Sequence, residues 1–137
     1  MTEKLIGQYT YGEPYPDNLK ETSVHFEIEW TLTDGVINGT CVDDEGKKVF
    51  DEPSTINGFI DNGIISFIKK YPKYWDIDEK GVARVFDEPP PSEIHYSGVA
   101  VDNRFEGEWE MTVAYILDNG ELDQFECTGT WTMNRLT

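Results

Sequence analysis

Phe105-Glu106-Gly107-Glu108-Trp109-Glu110-Met111 is echoed further along the chain by Cys127-Thr128-Gly129-Thr130-Trp131-Thr132-Met133. In both stretches the odd positions are apolar or small and the even positions are polar. A period of two is that of a strand with one dry face and one wet face. Glu106, Glu108 and Glu110 cannot all be buried, because each carboxylate would lose its hydration without gaining a partner. They face water, which turns Phe105, Gly107, Trp109 and Met111 inward. The same alternation turns Phe125, Cys127, Gly129, Trp131 and Met133 inward. Asp118-Asn119-Gly120 lies between the copies and reads as a turn, since glycine accepts positive φ. The two copies are therefore expected to pair as one antiparallel hairpin.

The same pattern extends back through the chain. Val24, Phe26, Ile28, Trp30 and Leu32 alternate with polar residues, and Glu27 and Glu29 mark their wet face. Residues 5–11, 36–42, 55–60, 64–71 and 94–101 also read as strands, with Ile94, Tyr96 and Gly98 as the inward set of the last. Residues 104–117 and 124–136 complete the series, and a short strand is expected at 83–86. Asp34-Gly35, Asp61-Asn62-Gly63 and Asp102-Asn103 supply tight turns. Only the connections near 12–22, 43–53 and 72–92 are long, and the last contains Pro89-Pro90-Pro91, which cannot belong to a central strand. Short turns between successive strands imply an antiparallel meander. An open meander leaves two unpaired edges, and closure removes them. The expected fold is all-β: an up-and-down meander over residues 1–137, closed into a single barrel domain of about eight strands. A Greek-key sandwich is the competitor.

Charge and composition narrow the function classes. With 27 acidic against 11 basic residues the net charge is −16, which opposes binding to nucleic acid or an anionic membrane. No apolar run is long enough for membrane insertion. The start of the sequence has no apolar signal region, so a cytoplasmic location is expected. Cys41 and Cys127 have neither metal-type nor redox-type spacing and read as small buried hydrophobes.

Four glycines, Gly58, Gly98, Gly107 and Gly129, fall inside strands. Interior glycine weakens a strand, so each needs a reason: it lets a small barrel curve, or it leaves room for a ligand beside an aromatic ring. The short meandering strands, the chain length and the Gly-x-Trp phrases at 107–109 and 129–131 resemble the calycin-type barrels, namely lipocalins, fatty-acid-binding proteins and the avidin group. In lipocalins that phrase belongs to the first strand, whereas here it sits on the last two. No biotin-site constellation and no fatty-acid Arg-x-Tyr pair is matched, so no binding residues are carried over. The resemblance implies a lipocalin-like barrel whose open end admits a small apolar or aromatic ligand. Trp30, Tyr96, Phe105, Trp109 and Trp131 are the interior residues expected to touch it.

Lys69-Lys70-Tyr71-Pro72-Lys73-Tyr74-Trp75 is a basic, aromatic island in an acidic chain. Tyr71, Tyr74 and Trp75 are expected at the barrel rim, with Tyr9, Tyr11 and Tyr15 as further candidates for it; the plainer reading makes the rings a cap and the lysines a local charge offset. Asp43-Asp44-Glu45, Asp51-Glu52 and Asp87-Glu88 read as solvated loop tips. Asp76, Asp78 and Asp87 have the spacing of a calcium loop, but Lys80 stands where an oxygen ligand is needed. His25 and His95 read as exposed, so no metal is expected. No catalytic motif or cofactor-binding motif is present. Two functions remain in view: a non-enzymatic barrel that binds a small apolar or aromatic molecule, or an acidic protein-interaction module of inhibitor or immunity type with a solid core and a basic protein partner. A hydrolase or isomerase working inside the barrel stays open as a third.

Overall fold

The computed structural model describes residues 2–12, 20, 22–77, 83–86, 93–116 and 118–136. Tyr15, Pro89-Pro90-Pro91 and half of the calcium-like segment, Asp78 and Asp87 included, lie outside them, as do the side chains of Tyr74 and Phe125. The strands are β1 (Thr2–Thr10), β2 (Ser23–Thr33), β3 (Val36–Asp43), β4 (Ser54–Asp61), β5 (Ile64–Lys70), β6 (Tyr74–Ile77), β7 (Ala83–Phe86), β8 (Ile94–Val101), β9 (Arg104–Ile116) and β10 (Leu122–Arg135). Eight of them close an antiparallel barrel in the order β1-β10-β9-β8-β5-β4-β3-β2, while β6 and β7 form a separate hairpin. The strand at 83–86 thus has a partner, β6, within the segment that reads as least regular. No described helix is long and apolar enough to cross a membrane.

Two hairpins have the backbone that their sequence demands. Asp34 and Gly35 have φ of 52° and 81°, and Asn62 and Gly63 have 50° and 79°. Two successive positive φ values suit the twist of a tight hairpin. Because antiparallel strands alternate in direction, these turns share one end of the barrel with the Asp102 turn and both outer ends of β1 and β10. The strand ends joined by the long connections β1–β2, β3–β4 and β5–β8 all lie at the other end.

The alternation sorts the side chains as expected. Phe26, Ile28 and Trp30 are buried while Glu27 and Glu29 are exposed. Phe105, Trp109, Cys127, Trp131 and Met133 join the same core, with Met111 packed against it. Each such Phe or Ile contributes roughly 1.5–3 kcal/mol relative to leaving it in water. Glu106 is half-buried and lies 3.3 Å from Arg104.

Gly58, Gly107 and Gly129 pair with rings, while Gly98 faces Ile65 and Gly107. Across β9 and β10, Gly107 stands opposite Trp131 and Trp109 opposite Gly129, so each copy of the repeated phrase houses the indole of the other. Trp30 likewise faces Gly39, and Phe67 faces Gly58. A Cβ at Gly129 would lie 2.3 Å from Trp109 Nε1, and one at Gly58 would lie 2.6 Å from Phe67 Cβ. The space beside these glycines is taken by protein. They serve tight curvature and ring packing, and the ligand room raised as an alternative is not found beside them.

Candidate functional site

The core has three tiers. At the tight-turn end, Trp30 and Phe105 meet edge to face at 6.1 Å. Trp30 Nε1 donates to Glu3 Oε2 at 2.9 Å, Arg135 Nε lies 3.3 Å from Glu3 Oε1, and the Arg135 guanidinium sits 4.8 Å from the Phe105 ring centroid. In the middle, Phe67 stacks on Tyr96 at 4.7 Å with Trp131 5.7 Å from each ring. Trp131 Nε1 donates to Glu108 O at 3.0 Å. Trp109 belongs to the third tier, at the long-loop end, 6.3 Å from Tyr9 and 6.1 Å from Tyr11. The five interior residues named from the sequence are therefore all buried, but they are divided among three levels.

The long-loop end also holds a charged cluster. Along β3 the inward residues are Ile37, Cys41 and then Asp43; along β5 they are Ile65, Phe67 and then Lys69. Period-two geometry carries an acid and a base into the barrel end, where Asp43 is 2 % exposed and Lys69 1 %. Lys69 Nζ donates to Asp43 Oδ2. Tyr71 donates its hydroxyl to the same oxygen at 2.8 Å, and the Gly46 N–H donates to Asp43 Oδ1. Lys69 Nζ also lies 5.1 Å from the Tyr9 ring centroid and 4.8 Å from that of Tyr71.

Over this cluster runs the β3–β4 connection, with a short 3₁₀ turn at Gly46–Lys48. Glu45, which precedes the turn, accepts hydrogen bonds from the hydroxyls of both Tyr9 and Tyr11 through Oε1. A side chain at position 46 would crowd Tyr71, whose Cε1 lies 2.9 Å from an ideal Cβ there. Tyr71 stacks on Phe50 at 6.1 Å and meets Trp75 edge-on at 5.7 Å. Tyr71 and Trp75 are both half-buried. Two acids read as solvated loop residues are thus drawn into the barrel end. Asp43 is buried and ion-paired, and Glu45 is bonded to two tyrosines. Lys69 is enclosed rather than a surface charge offset. The signal that would have found Asp43 and Lys69 is the strand alternation itself, continued one step past Cys41 and Phe67.

Ionisation follows from this environment. Burial opposes the Asp43 carboxylate, but Lys69, the Gly46 N–H and the Tyr71 hydroxyl outweigh it and hold the group below the ordinary carboxylate range. Burial likewise opposes the Lys69 ammonium, yet Tyr96, Cys41, Tyr71 and Asp43 together raise its pKa well above the usual value. Of those four, Asp43 is the partner charged at neutral pH. Burial raises the pKa of Tyr9, Tyr71 and Tyr96, so their hydroxyls remain protonated donors. Cys41 is pushed up to about 11, chiefly by burial. Among the described residues no buried side-chain polar atom lacks a hydrogen-bond partner.

On the outer wall, a groove of about 480 Å³ is lined by Ile6, Gln8, His25, Glu27, Val42 and Lys47, among others. A second, of about 300 Å³, is lined by Glu93, His95, Glu110 and Glu126, with Met111 and Thr112. His25 and His95 are exposed on β2 and β8, which are not neighbours in the barrel. Among the described residues no group of three or more His, Cys, Asp or Glu is placed to hold a metal. Cys41 and Cys127 are buried free thiols.

No family model matches the chain, and no curated protein matches its sequence. Among solved structures it is similar to apo bradavidin 2, with a TM-score of 0.51 and 14 % identity, covering 96 % of each chain. It is also similar to rhizavidin, with a TM-score of 0.46, 16 % identity and coverage of 95 % of this chain and 81 % of that one. For a rhizavidin–biotin complex the values are 0.44, 15 %, 96 % and 92 %. The chain is an all-β closed barrel of eight antiparallel strands, similar in fold to the avidin-type barrel of bradavidin 2.

Proposed function

We propose that the chain is a non-enzymatic binding protein whose small ligand seats at the long-loop end of the barrel, among Tyr9, Tyr11, Lys69 and Tyr71. The observation that carries this reading is the enclosed Lys69–Asp43 pair. Burying two charges costs several kcal/mol per ion before their attraction is counted, and an apolar pair of similar volume is often at least as stable. Ionisable groups kept at that cost cluster at functional sites. Here they lie at the end where the connections are long, which is where a rigid scaffold commonly carries binding groups. Trp109 and Tyr96 form the wall and floor of the site, and Tyr71 and Trp75 its rim. Trp30 and Phe105, at the far end, are packing residues on this reading. The ligand is a small apolar or aromatic body with a polar group that meets the tyrosine hydroxyls.

Tryptophan emission tests the proposal. A panel of small ring compounds, with biotin included because it occupies one of the similar structures, is titrated into the wild type and Trp109→Phe. At least one compound should shift the emission with micromolar affinity, and the change should shrink in Trp109→Phe. A panel that leaves the emission and the amide NMR spectrum of the barrel end unchanged would refute it.

The filled middle tier favours a second reading, a solid acidic barrel that meets a basic protein through Glu27, Glu29, Glu108 and Glu110, all of which are exposed. A partner captured on immobilised protein should then be basic, be released as salt rises, and bind Glu108→Lys/Glu110→Lys poorly. Retention indifferent to salt would rule that reading out.

A further inference from the structure

We infer that the ligand of this site carries a carboxylate and that Glu45 occupies the carboxylate position in the free chain. The inference rests on the reading of the barrel end as the ligand site, and it deepens that reading. Two donors converge on one oxygen: the hydroxyls of Tyr9 and Tyr11 both meet Glu45 Oε1. The donors belong to the wall. Tyr9 is an inward residue of β1 and packs on Phe26 at 6.3 Å and Trp109 at 6.3 Å; Tyr11 follows it and also packs on Trp109. The acceptor does not belong to the wall. Glu45 lies on the β3–β4 connection, where Lys48 N donates to Glu45 O at 3.3 Å and Val49 N to Gly46 O at 3.0 Å, both within the turn itself. The Glu45 side chain can leave without breaking a hydrogen bond of the barrel sheet.

The converging donors favour an anion over other head groups. Asp43 and Lys69 neutralise one another, and Asp43 is already held by Lys69, Tyr71 and the Gly46 N–H. Withdrawal of Glu45 leaves two hydroxyl donors beside the Tyr9 ring, whose centroid is 5.1 Å from the Lys69 ammonium. An incoming carboxylate regains both hydrogen bonds in charge-assisted form and restores the charge that was there before. A neutral amide regains the bonds without the charge assistance. An ammonium can only donate to the two hydroxyl oxygens, so both hydroxyl hydrogens lose the acceptor that Glu45 gave them. Trp109 supplies an aromatic wall for the body of the ligand.

The test uses one ring with three head groups: benzoate, benzamide and benzylammonium. Each is titrated into the wild type, Glu45→Ala and Glu45→Ala/Tyr11→Phe, with tryptophan emission and amide shifts as the readouts. Circular dichroism establishes that each variant is folded, and Glu45→Gln, which keeps the side-chain volume, repeats the comparison. Glu45→Ala should bind benzoate at least tenfold more tightly than the wild type does, and at least tenfold more tightly than it binds benzamide. Benzylammonium should not bind, and Tyr11→Phe should remove most of the benzoate gain. If Glu45→Ala gains benzamide as much as benzoate, or gains neither while ring compounds still bind, the carboxylate inference is overturned and the site remains. If no head group perturbs the barrel end of any folded variant, the site itself is overturned.

Discussion

Lys69→Met removes the cation of the buried pair and keeps much of the side-chain volume. Asp43 is then left 2 % exposed with two of its three donors, the Tyr71 hydroxyl and the Gly46 N–H. Breaking a buried ion pair from one side costs about 3–5 kcal/mol, because an uncompensated charge stays behind. For a chain of this size that corresponds to a fall in Tm of roughly 10–20 °C. The sign of the pH dependence is fixed. In the wild type Asp43 is depressed, so its contribution is complete above the unfolded value of about 3.9 and is lost as pH falls through the lower folded value. In Lys69→Met burial is no longer opposed by the cation, and the folded pKa of Asp43 rises above the unfolded one. Stability of the variant is then retained at low pH and lost as pH rises through that raised value. The Lys69→Met penalty should therefore be larger near pH 7.5 than near about pH 4.5. Lys69→Met/Asp43→Asn, which keeps an acceptor for the Gly46 N–H and turns an amide N–H toward the Tyr71 hydroxyl oxygen, should recover most of the loss and show little pH dependence. Urea unfolding followed by emission of the buried Trp30, Trp109 and Trp131 measures each free energy. A single-variant penalty below about 1 kcal/mol, or one equal at both pH values, would show that water reaches Asp43 and that the pair is not dry.

Gly129→Ala places a Cβ 1.9 Å from Thr10 O and 2.3 Å from Trp109 Nε1, where Trp109 now donates to Thr10 O at 2.8 Å. It should cost about 2–3 kcal/mol in urea unfolding, whereas Gly120→Ala, with nothing within 4 Å and φ of +85°, should cost about 1–2 kcal/mol from backbone strain alone. In a Cys127→Ala background, Cys41 should resist a thiol reagent at about pH 8 in native buffer and react fully in denaturant, since burial pushes its pKa up to about 11; prompt native labelling would contradict its enclosure.

Much of the barrel was legible because a strand writes its two faces into every second residue. The adjacent glutamates of β9 fix which face is wet, and the Asp34-Gly35 and Asn62-Gly63 turns fix direction and register locally. The repeated Gly-x-Trp phrase even specifies its own pairing, as an antiparallel hairpin sets the glycine of one copy against the indole of the other. Burial of Trp30, Tyr96, Phe105, Trp109 and Trp131 follows from the same alternation.

The barrel end was not legible in the same way, because its chemistry depends on residues far apart in sequence. Asp43 beside Asp44 and Glu45, and Lys69 beside Lys70, look like ordinary solvated charges until each is followed by parity to the dry face. Nothing local says that the two meet. Their encounter requires β3, β4 and β5 to lie side by side in a curved wall, and the Glu45 contact with Tyr9 and Tyr11 requires β2 and β1 on the other flank of β3. Local alternation determined which face each strand buries, since hydration of a charge is decided residue by residue. The curved, closed sheet decided that three tiers divide the core and that an acid, a base and three tyrosines share one end, since it turns side chains of non-neighbouring strands toward one another.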